Sequence, residues 1–371
     1  MTKEIKVIKN DKEPYNPFNP SFGELPYSIL GRGQIIEKIR NAFDSNLKDP
    51  YRTVLFSGAR GMGKTVLLEK IVEIALEYGF VSVNITAGDF MIDDLFEQIF
   101  ERTEHLLSQK KKIKSVSIKN FNIEFFNDDT TLRVRTRLER VLSKLNEMGV
   151  GLLITIDEIY KTASGLSEII IAYQHYKREG RNVALMLAGL PKNVSDVLSD
   201  SPETRNFTFL RRAERVILKN IDIEEITQTY FSTFNEANKG LSAENAVFMA
   251  EATKGYPFMI QLVGYYVWQK SKEKVNKEFI LAGIEEAKER LGILVFAASL
   301  NDISDKDLEF LRAMASFEMP VQTADIQKKM GVSQGYVQQY RQRLLETELI
   351  YSPAYGKLDF SIPYLREYLN I

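Results

Sequence analysis

Eight consecutive residues, Gly58-Ala59-Arg60-Gly61-Met62-Gly63-Lys64-Thr65, spell G-x-x-x-x-G-K-[ST], a pattern suited to gripping a polyphosphate. Its glycines let the backbone curl until its N–H groups point at the anion, and the positive end of a following helix adds attraction. Lys64 is then placed to reach the β/γ oxygens, and the Thr65 hydroxyl to ligate Mg²⁺. Gly58, Arg60, Gly61, Met62, Gly63 and Val66 complete the nucleotide contacts expected of the loop. Further along, the apolar run Gly151-Leu152-Leu153-Ile154-Thr155-Ile156 stops at paired acids, Asp157 and Glu158. Asp157 suits holding Mg²⁺ through its waters. Glu158 suits orienting or deprotonating an attacking water, so the pair argues for hydrolysis beside binding. ATP, ADP and Mg²⁺ are the expected ligands.

Strands and helices in a set order must position these groups. Thr53-Val54-Leu55-Phe56 reads as the strand before the loop, and Val66-Leu67-Leu68-Glu69-Lys70-Ile71-Val72 as the helix after it. Phe80-Val81-Ser82-Val83-Asn84-Ile85 and Val183-Ala184-Leu185-Met186-Leu187-Ala188-Gly189-Leu190-Pro191 supply two more strands. Strands alternating with helical patterns predict an α/β P-loop NTPase core, a parallel sheet with helices on both faces. Ligand then binds at the carboxyl ends of the strands, where both motifs fall.

At 371 residues and 44% hydrophobic composition, two or three domains are expected. No apolar run approaches the roughly 20 residues that cross a bilayer, and the polar start Met1-Thr2-Lys3-Glu4-Ile5-Lys6 lacks the apolar core of a signal peptide. A cytoplasmic protein without a membrane partner is the expectation. Zero cysteines exclude disulfides and cysteine-based zinc sites, and the two histidines, His105 and His175, are far apart in sequence. With a net charge of −1, any grip on nucleic acid must come from local patches.

With these motifs the chain resembles AAA+ and STAND-type ATPases, especially the archaeal-type and origin-recognition-like initiator branch that carries a C-terminal winged helix. The resemblance implies that Asn16-Pro17-Phe18-Asn19-Pro20 and Pro26-Tyr27-Ser28-Ile29-Leu30-Gly31-Arg32 form an entry segment over the adenine. Ile29 and Leu30 would pack on the base, with Arg32 beside them. It also implies that Arg211 and Arg212, in Thr204-Arg205-Asn206-Phe207-Thr208-Phe209-Leu210-Arg211-Arg212-Ala213, complete a neighbouring subunit's site, with Arg212 ahead. Solvated arginines on an exposed helix are the plainer alternative. Thr253-Lys254-Gly255-Tyr256-Pro257-Phe258 is similar to the G-x-P element that opens a lid helix, and Pro257 would close the nucleotide pocket. Two departures stand out: no arginine follows in that helix, and the run ending Ala188-Gly189-Leu190-Pro191 lacks a polar sensor. They favour a slow ATP/ADP switch over a motor.

Between Arg102 and Arg137 an insert containing Lys110-Lys111-Lys112-Ile113-Lys114 alternates like a basic β-hairpin. It suits contact with DNA or a neighbouring subunit, or a solvated edge whose lysines block aggregation. After Leu300 the capping box Ser304-Asp305-Lys306-Asp307 opens a helix. Thr323–Met330, the turn Gly331-Val332-Ser333 and Gln334–Leu345 then read as a helix-turn-helix, closed by a hairpin around Ala354-Tyr355-Gly356-Lys357, together a winged helix. Gln334, Tyr336, Gln338, Gln339, Arg341 and Arg343 should face outward, with Val337, Tyr340 and Leu344 inward. Gln334, Tyr336, Gln338, Arg341 and Arg343, with Lys328, Lys329 and Lys357 over the backbone, are the candidate DNA contacts. Against this, residues 300–371 hold eight Lys/Arg and ten Asp/Glu.

The expected organisation is an ATPase core over 1–218 including the basic insert at 102–137, a helical lid over 219–299 and a winged helix over 300–371. The expected function is a slowly hydrolysing ATPase that binds double-stranded DNA in a nucleotide-gated, initiator-like way, with self-association through the arginine finger. Its rival is a regulatory or defence switch whose winged helix binds a protein. A protein-remodelling motor fits least, since no aromatic-hydrophobic-Gly pore motif is present.

Overall fold

Three strands are buried along their whole length because they are covered on both faces. They are β1 (Thr53–Ser57), β3 (Gly151–Asp157) and β4 (Val183–Gly189), each buried at every position. With β2 (Phe80–Thr86) and β5 (Glu214–Ile217) they form one sheet in the order β2-β3-β4-β1-β5, every pairing parallel. The edge strand β5 alternates half-buried with exposed residues, as an outer strand should. The computed structural model describes residues 15–21, 26, 29–45, 47–109, 133–199, 202–301 and 303–370. The basic insert expected around Lys110–Phe125 lies outside them.

Helices cover both faces. On one side α1 (Gly33–Ser45) and α2 (Lys64–Glu77) bury Ile39, Phe43, Leu67, Leu68 and Ile71. On the other, α3 (Met91–Gln109), α4 (Val134–Glu147), α5 (Leu166–Arg178) and α6 (Pro191–Leu198) form a second core with Leu95, Leu138, Ile169 and Val197. The fold is that of a P-loop NTPase core, as the strand and helix pattern predicts. The register sets Ser57 beside Gly189 and Thr86 beside Asp157, so β4 alone separates the two strands that carry the motifs.

Four helices follow: α7 (Ile223–Glu236), α8 (Ala243–Ala252), α9 (Pro257–Lys270) and α10 (Lys277–Leu291). Asp222, Ser242 and Asn276 cap three of them by accepting from backbone N–H groups, and Pro257 opens α9 where its missing N–H costs nothing. Phe18 of the entry segment is buried against Tyr230, Phe234 and Trp268, with ring centroids at 5.5, 5.6 and 6.2 Å. A Cβ at Gly264 would collide with the Phe18 ring, so this helical glycine is the space the aromatic fills. The entry segment is thus anchored on α9, with Asn16 donating to the Tyr265 carbonyl at 3.2 Å.

Helix α10 runs without a break into a π-helical turn, Gly292–Phe296, and then α11 (Ala297–Asn301). The remaining elements are α12 (Asp305–Ala315), β6 (Val321–Gln322), α13 (Thr323–Met330), α14 (Gln334–Glu346), β7 (Ile350–Tyr351), β8 (Lys357–Phe360) and α15 (Leu365–Leu369). The capping box holds: Ser304 accepts from the Asp307 N–H and donates to its carboxylate. Gly331 takes the left-handed conformation that ends α13. The three strands make an antiparallel sheet in the order β6-β8-β7. One apolar core runs from α2 through the four-helix region to Phe310, Leu344 and Leu365. The Tyr364 hydroxyl donates to the Ala252 carbonyl at 2.5 Å, tying the C-terminal elements to α8.

Candidate nucleotide site

The loop after β1 takes its shape from two glycines with positive φ, Gly61 at 75° and Gly63 at 80°. Gly61 has a second constraint: a Cβ there would collide with the Tyr256 hydroxyl, which donates to the Arg60 carbonyl at 2.7 Å. Tyr256 immediately precedes α9, so the loop and the four-helix region are joined at this point. Space beside Gly63 is open. Arg32 is buried and donates to the carbonyls of Met62 at 3.3 Å and Lys219 at 2.9 Å, bracing the loop from behind. Burial holds its guanidinium below the usual arginine range, with Glu225 opposing. Expected as a nucleotide contact, Arg32 does line the cavity, but the donors described here go to the protein backbone.

The acids at the end of β3 arrive where expected. Thr65 Oγ1 donates to Asp157 Oδ2 at 2.5 Å, and the Glu158 N–H donates to Asp157 Oδ1 at 2.8 Å. Glu158 sits at φ 52°, a left-handed backbone uncommon outside glycine, and its side chain is exposed. Lys64 Nζ donates to the carbonyls of Gly58 at 2.6 Å and Ala59 at 3.0 Å. Burial lowers its pKa, while Glu348, Asp157 and Glu158 raise it.

These residues surround a cavity of about 500 Å³ lined by Ile29, Leu30, Arg60, Gly61, Met62, Gly63, Lys64, Thr65, Val66, Asp157, Glu158 and Pro257, among others. Every expected nucleotide or metal contact lies on that lining except Gly58, whose carbonyl instead takes the Lys64 ammonium. Asn19, in the expected entry segment, and Phe258 and Gln261, in the expected lid element, also line it, while Leu294, Val295 and Ser299 were missed by the sequence reading. Leu294 and Val295 come from the π-helical turn, a bulge that often marks functional sites. The Gly292-Ile293-Leu294-Val295-Phe296 stretch carries no sequence signal for it.

Arg211 and Arg212 are exposed and off the cavity. Arg211 donates to the carbonyls of Leu198 at 3.2 Å and Ser199 at 2.9 Å. On α14, Gln334, Tyr336, Gln338 and Gln339 are exposed and Val337, Tyr340 and Leu344 are buried, as helical spacing predicts. Lys328 and Lys329 are exposed on α13, Lys357 is half-buried, and Arg341 is half-buried. Arg343 departs from the expected outward pose: its Nε and Nη2 donate to the buried Asp307 at 3.1 and 2.7 Å. The reason is that α14 packs its C-terminal half on α12, where Asp307 already serves the cap.

A family described as a domain of unknown function (DUF8462) matches residues 294–369. No curated protein matches the sequence. Among solved structures, a Walker-type ATPase of Pyrococcus abyssi is similar at 16% identity, with a TM-score of 0.69, over 94% of this chain and 97% of that one. The ORC2 protein of Aeropyrum pernix, in ADPNP–ADP complexes, is similar at 12% identity and a TM-score of 0.50 over 95% of each chain. At such identities the likeness shows the fold, that of the P-loop ATPases, along nearly the whole chain. Among the described residues no helix is long and apolar enough to cross a membrane.

Proposed function

We propose that the protein is an ATP-binding, slowly hydrolysing switch of the AAA+/STAND kind whose C-terminal elements form a winged helix that binds duplex DNA in a nucleotide-dependent way. The observation that carries the ATP reading is the convergence of Lys64, the Thr65 hydroxyl and the Asp157 carboxylate on one cavity closed by the lid residues Pro257 and Phe258. The fit to nucleotide is physical. The cavity is large enough for a base and ribose, its Ile29, Leu30, Phe258 and Leu294 side is apolar, and its loop side is lined with backbone and Lys64. Lys64 rests on two carbonyls that it can exchange for phosphate oxygens. Thr65 and Asp157 stand as the natural pair to hold Mg²⁺, which would neutralise charge on the β/γ oxygens when bound. Glu158, which follows Asp157 on the same cavity lining, would orient the attacking water. The absence of arginine in Pro257–Lys270 and of a polar residue at the end of β4 supports slow turnover.

The DNA reading is supported by the outward face of α14. Its exposed positions offer glutamine, tyrosine and glycine, while its one acid, Glu346, pairs inward with Lys192. Lys328 and Lys329 stand beside it, and Tyr355 at the hairpin tip is fully exposed. With Arg343 engaged by Asp307, the DNA-contacting cations on our reading are Arg341, Lys328, Lys329 and Lys357. Self-association would use Arg212 in preference to Arg211, which is committed to backbone carbonyls. The second reading, a switch whose winged helix docks a protein, is favoured by the net acidic balance of residues 300–371.

Titration with a fluorescent ATP analogue, paired with phosphate-release assays, tests the ATP reading. Wild type should bind, Lys64→Ala should not, and Glu158→Gln should bind while turning over about 10²–10⁴-fold more slowly. Equal turnover in wild type and Glu158→Gln would contradict the catalytic assignment.

A further inference from the structure

Ser299 is 7% exposed, and its hydroxyl is buried with no hydrogen-bond partner. A serine inside a helix ordinarily turns its hydroxyl back to the carbonyl four residues earlier, here that of Val295, and in this structure that bond is not made. An orphaned buried hydroxyl costs folding free energy, so one placed on a ligand cavity calls for a partner from outside the chain. Ser299 lines the candidate nucleotide cavity together with Leu294, Val295 and Ala298. Leu294 and Ala298 are four residues apart, as are Val295 and Ser299, so one face of the run from the π-helical turn into α11 forms this wall. Its side chains are apolar apart from the one hydroxyl. Lys64, Thr65 and Asp157 mark the phosphate end, which leaves the apolar wall of Ile29, Leu30, Phe258, Leu294 and Val295 for the base. Gln261, on the same lining, accepts the Asn19 N–H at its Oε1, so its amide nitrogen is the end that can donate.

We propose that Ser299 reads the base: its hydroxyl accepts a hydrogen bond from the exocyclic amino group of an adenine seated against Leu294 and Val295. This rests on the ATP reading of the site. Adenine carries an amino donor beside a ring-nitrogen acceptor. The amide nitrogen of Gln261 donates, which suits the ring nitrogen, and Ser299 is the one side chain between residues 294 and 299 with an oxygen to accept the amino group. The hydroxyl turns about a single bond, so it reaches the cavity by a change of rotamer, with no movement of helix or core. Burial makes the bond selective: a ligand without the amino group leaves the hydroxyl orphaned as before and gains nothing from it. The grip on phosphate and Mg²⁺ stays with Lys64, Thr65 and Asp157, on other elements, so Ser299 acts on base identity alone.

Competition against the fluorescent ATP analogue compares three ligands in wild type and Ser299→Ala: ATP, purine riboside triphosphate, which is ATP without the amino group, and inorganic tripolyphosphate. Wild type should bind ATP about five- to tenfold tighter than the deaminated ligand. In Ser299→Ala, ATP should weaken to the level of that ligand, whose own affinity stays where it was, and tripolyphosphate should compete equally in both proteins. Without nucleotide, Ser299→Ala should melt no lower than wild type, because it removes an unsatisfied polar atom, which shows that the loss of ATP is not a loss of fold. Equal affinity of wild type for ATP and the deaminated ligand, or a ratio unchanged in the variant, would overturn the proposal while leaving the ATP site standing. So would a matching loss of tripolyphosphate, since the effect would then not belong to the base. Failure of wild type to bind either ATP or tripolyphosphate would overturn the ATP reading as well.

Discussion

At the scale of single residues the site is built from groups held by one or two named contacts, so its failures should be specific. Lys64 loses its function as a point charge on truncation. Charge-assisted hydrogen bonds contribute about 1.5–3 kcal/mol each, so Lys64→Ala should weaken ATP by at least tenfold, measured by calorimetry. Gly61 makes the opposite case, since nothing can be added there. Its φ of 75° and the Tyr256 hydroxyl against it mean that Gly61→Ala should deform the loop, lowering both melting temperature and nucleotide affinity. Tyr256→Phe removes only the bond to the Arg60 carbonyl and should cost about 1 kcal/mol in urea unfolding. A full loss of binding in Tyr256→Phe would show that the tyrosine does more than brace. The Glu348 carboxyl gives a pH signature. Its folded value of about 7 lies above its ordinary 4.5, so the folded state binds the proton more strongly. Stability should therefore fall as pH rises from about 4.5 through about 7, by on the order of 3 kcal/mol, and Glu348→Gln should lack this slope. Urea melts of both proteins at pH 5 and pH 8 read the difference directly.

At the scale of elements, the parts legible in the sequence are those whose signal is local. The loop from Gly58 to Thr65 and the acids after Ile156 are contiguous motifs, and β1, β3 and β4 announce themselves as unbroken apolar runs because both their faces are covered. Helices α13 and α14 are legible from the turn Gly331-Val332-Ser333 and from apolar spacing, down to the buried Val337, Tyr340 and Leu344. What could not be read arises from packing between distant segments. Gln261 and Asn19 meet across the cavity mouth, where the Asn19 N–H donates to Gln261 Oε1 at 3.0 Å, although far apart in sequence. Arg343 looks like a surface cation until α12 brings Asp307 beneath it. The entry segment was expected over the base, and its anchor turned out to be Phe18 in the aromatic cluster of α7 and α9. Phe18→Ala empties a buried ring site and should cost about 3–5 kcal/mol. Nucleotide affinity should drop with it, because Asn19 and Ile29 follow on the same strand of chain; unchanged affinity would detach the entry segment from the site.

At the scale of the molecule, one apolar core joins the P-loop helix, the four-helix region and the C-terminal elements, and the second core stays on the far face of the sheet. On the proposed reading, nucleotide at the first core's edge would touch parts of the chain that continue into the candidate DNA-reading helix. The Tyr256 hydroxyl joins the loop to the residue before α9 at the Arg60 carbonyl, and the Lys192–Glu346 ion pair joins α6 to the end of α14. A protein built this way should report nucleotide state at its C-terminal surface. Charge reversal there, Lys328→Glu with Arg341→Glu, should abolish DNA binding and leave ATP affinity intact. The most direct measurement of the whole account is fluorescence anisotropy of a labelled mixed-sequence duplex, titrated with protein in Mg²⁺-ATP, in ADP and without nucleotide, at two salt concentrations. The account predicts binding that depends on nucleotide state, weakens with salt and loses its nucleotide dependence in Lys64→Ala. Absence of binding in every nucleotide state at low salt would contradict it, and would assign the C-terminal surface to a protein partner instead.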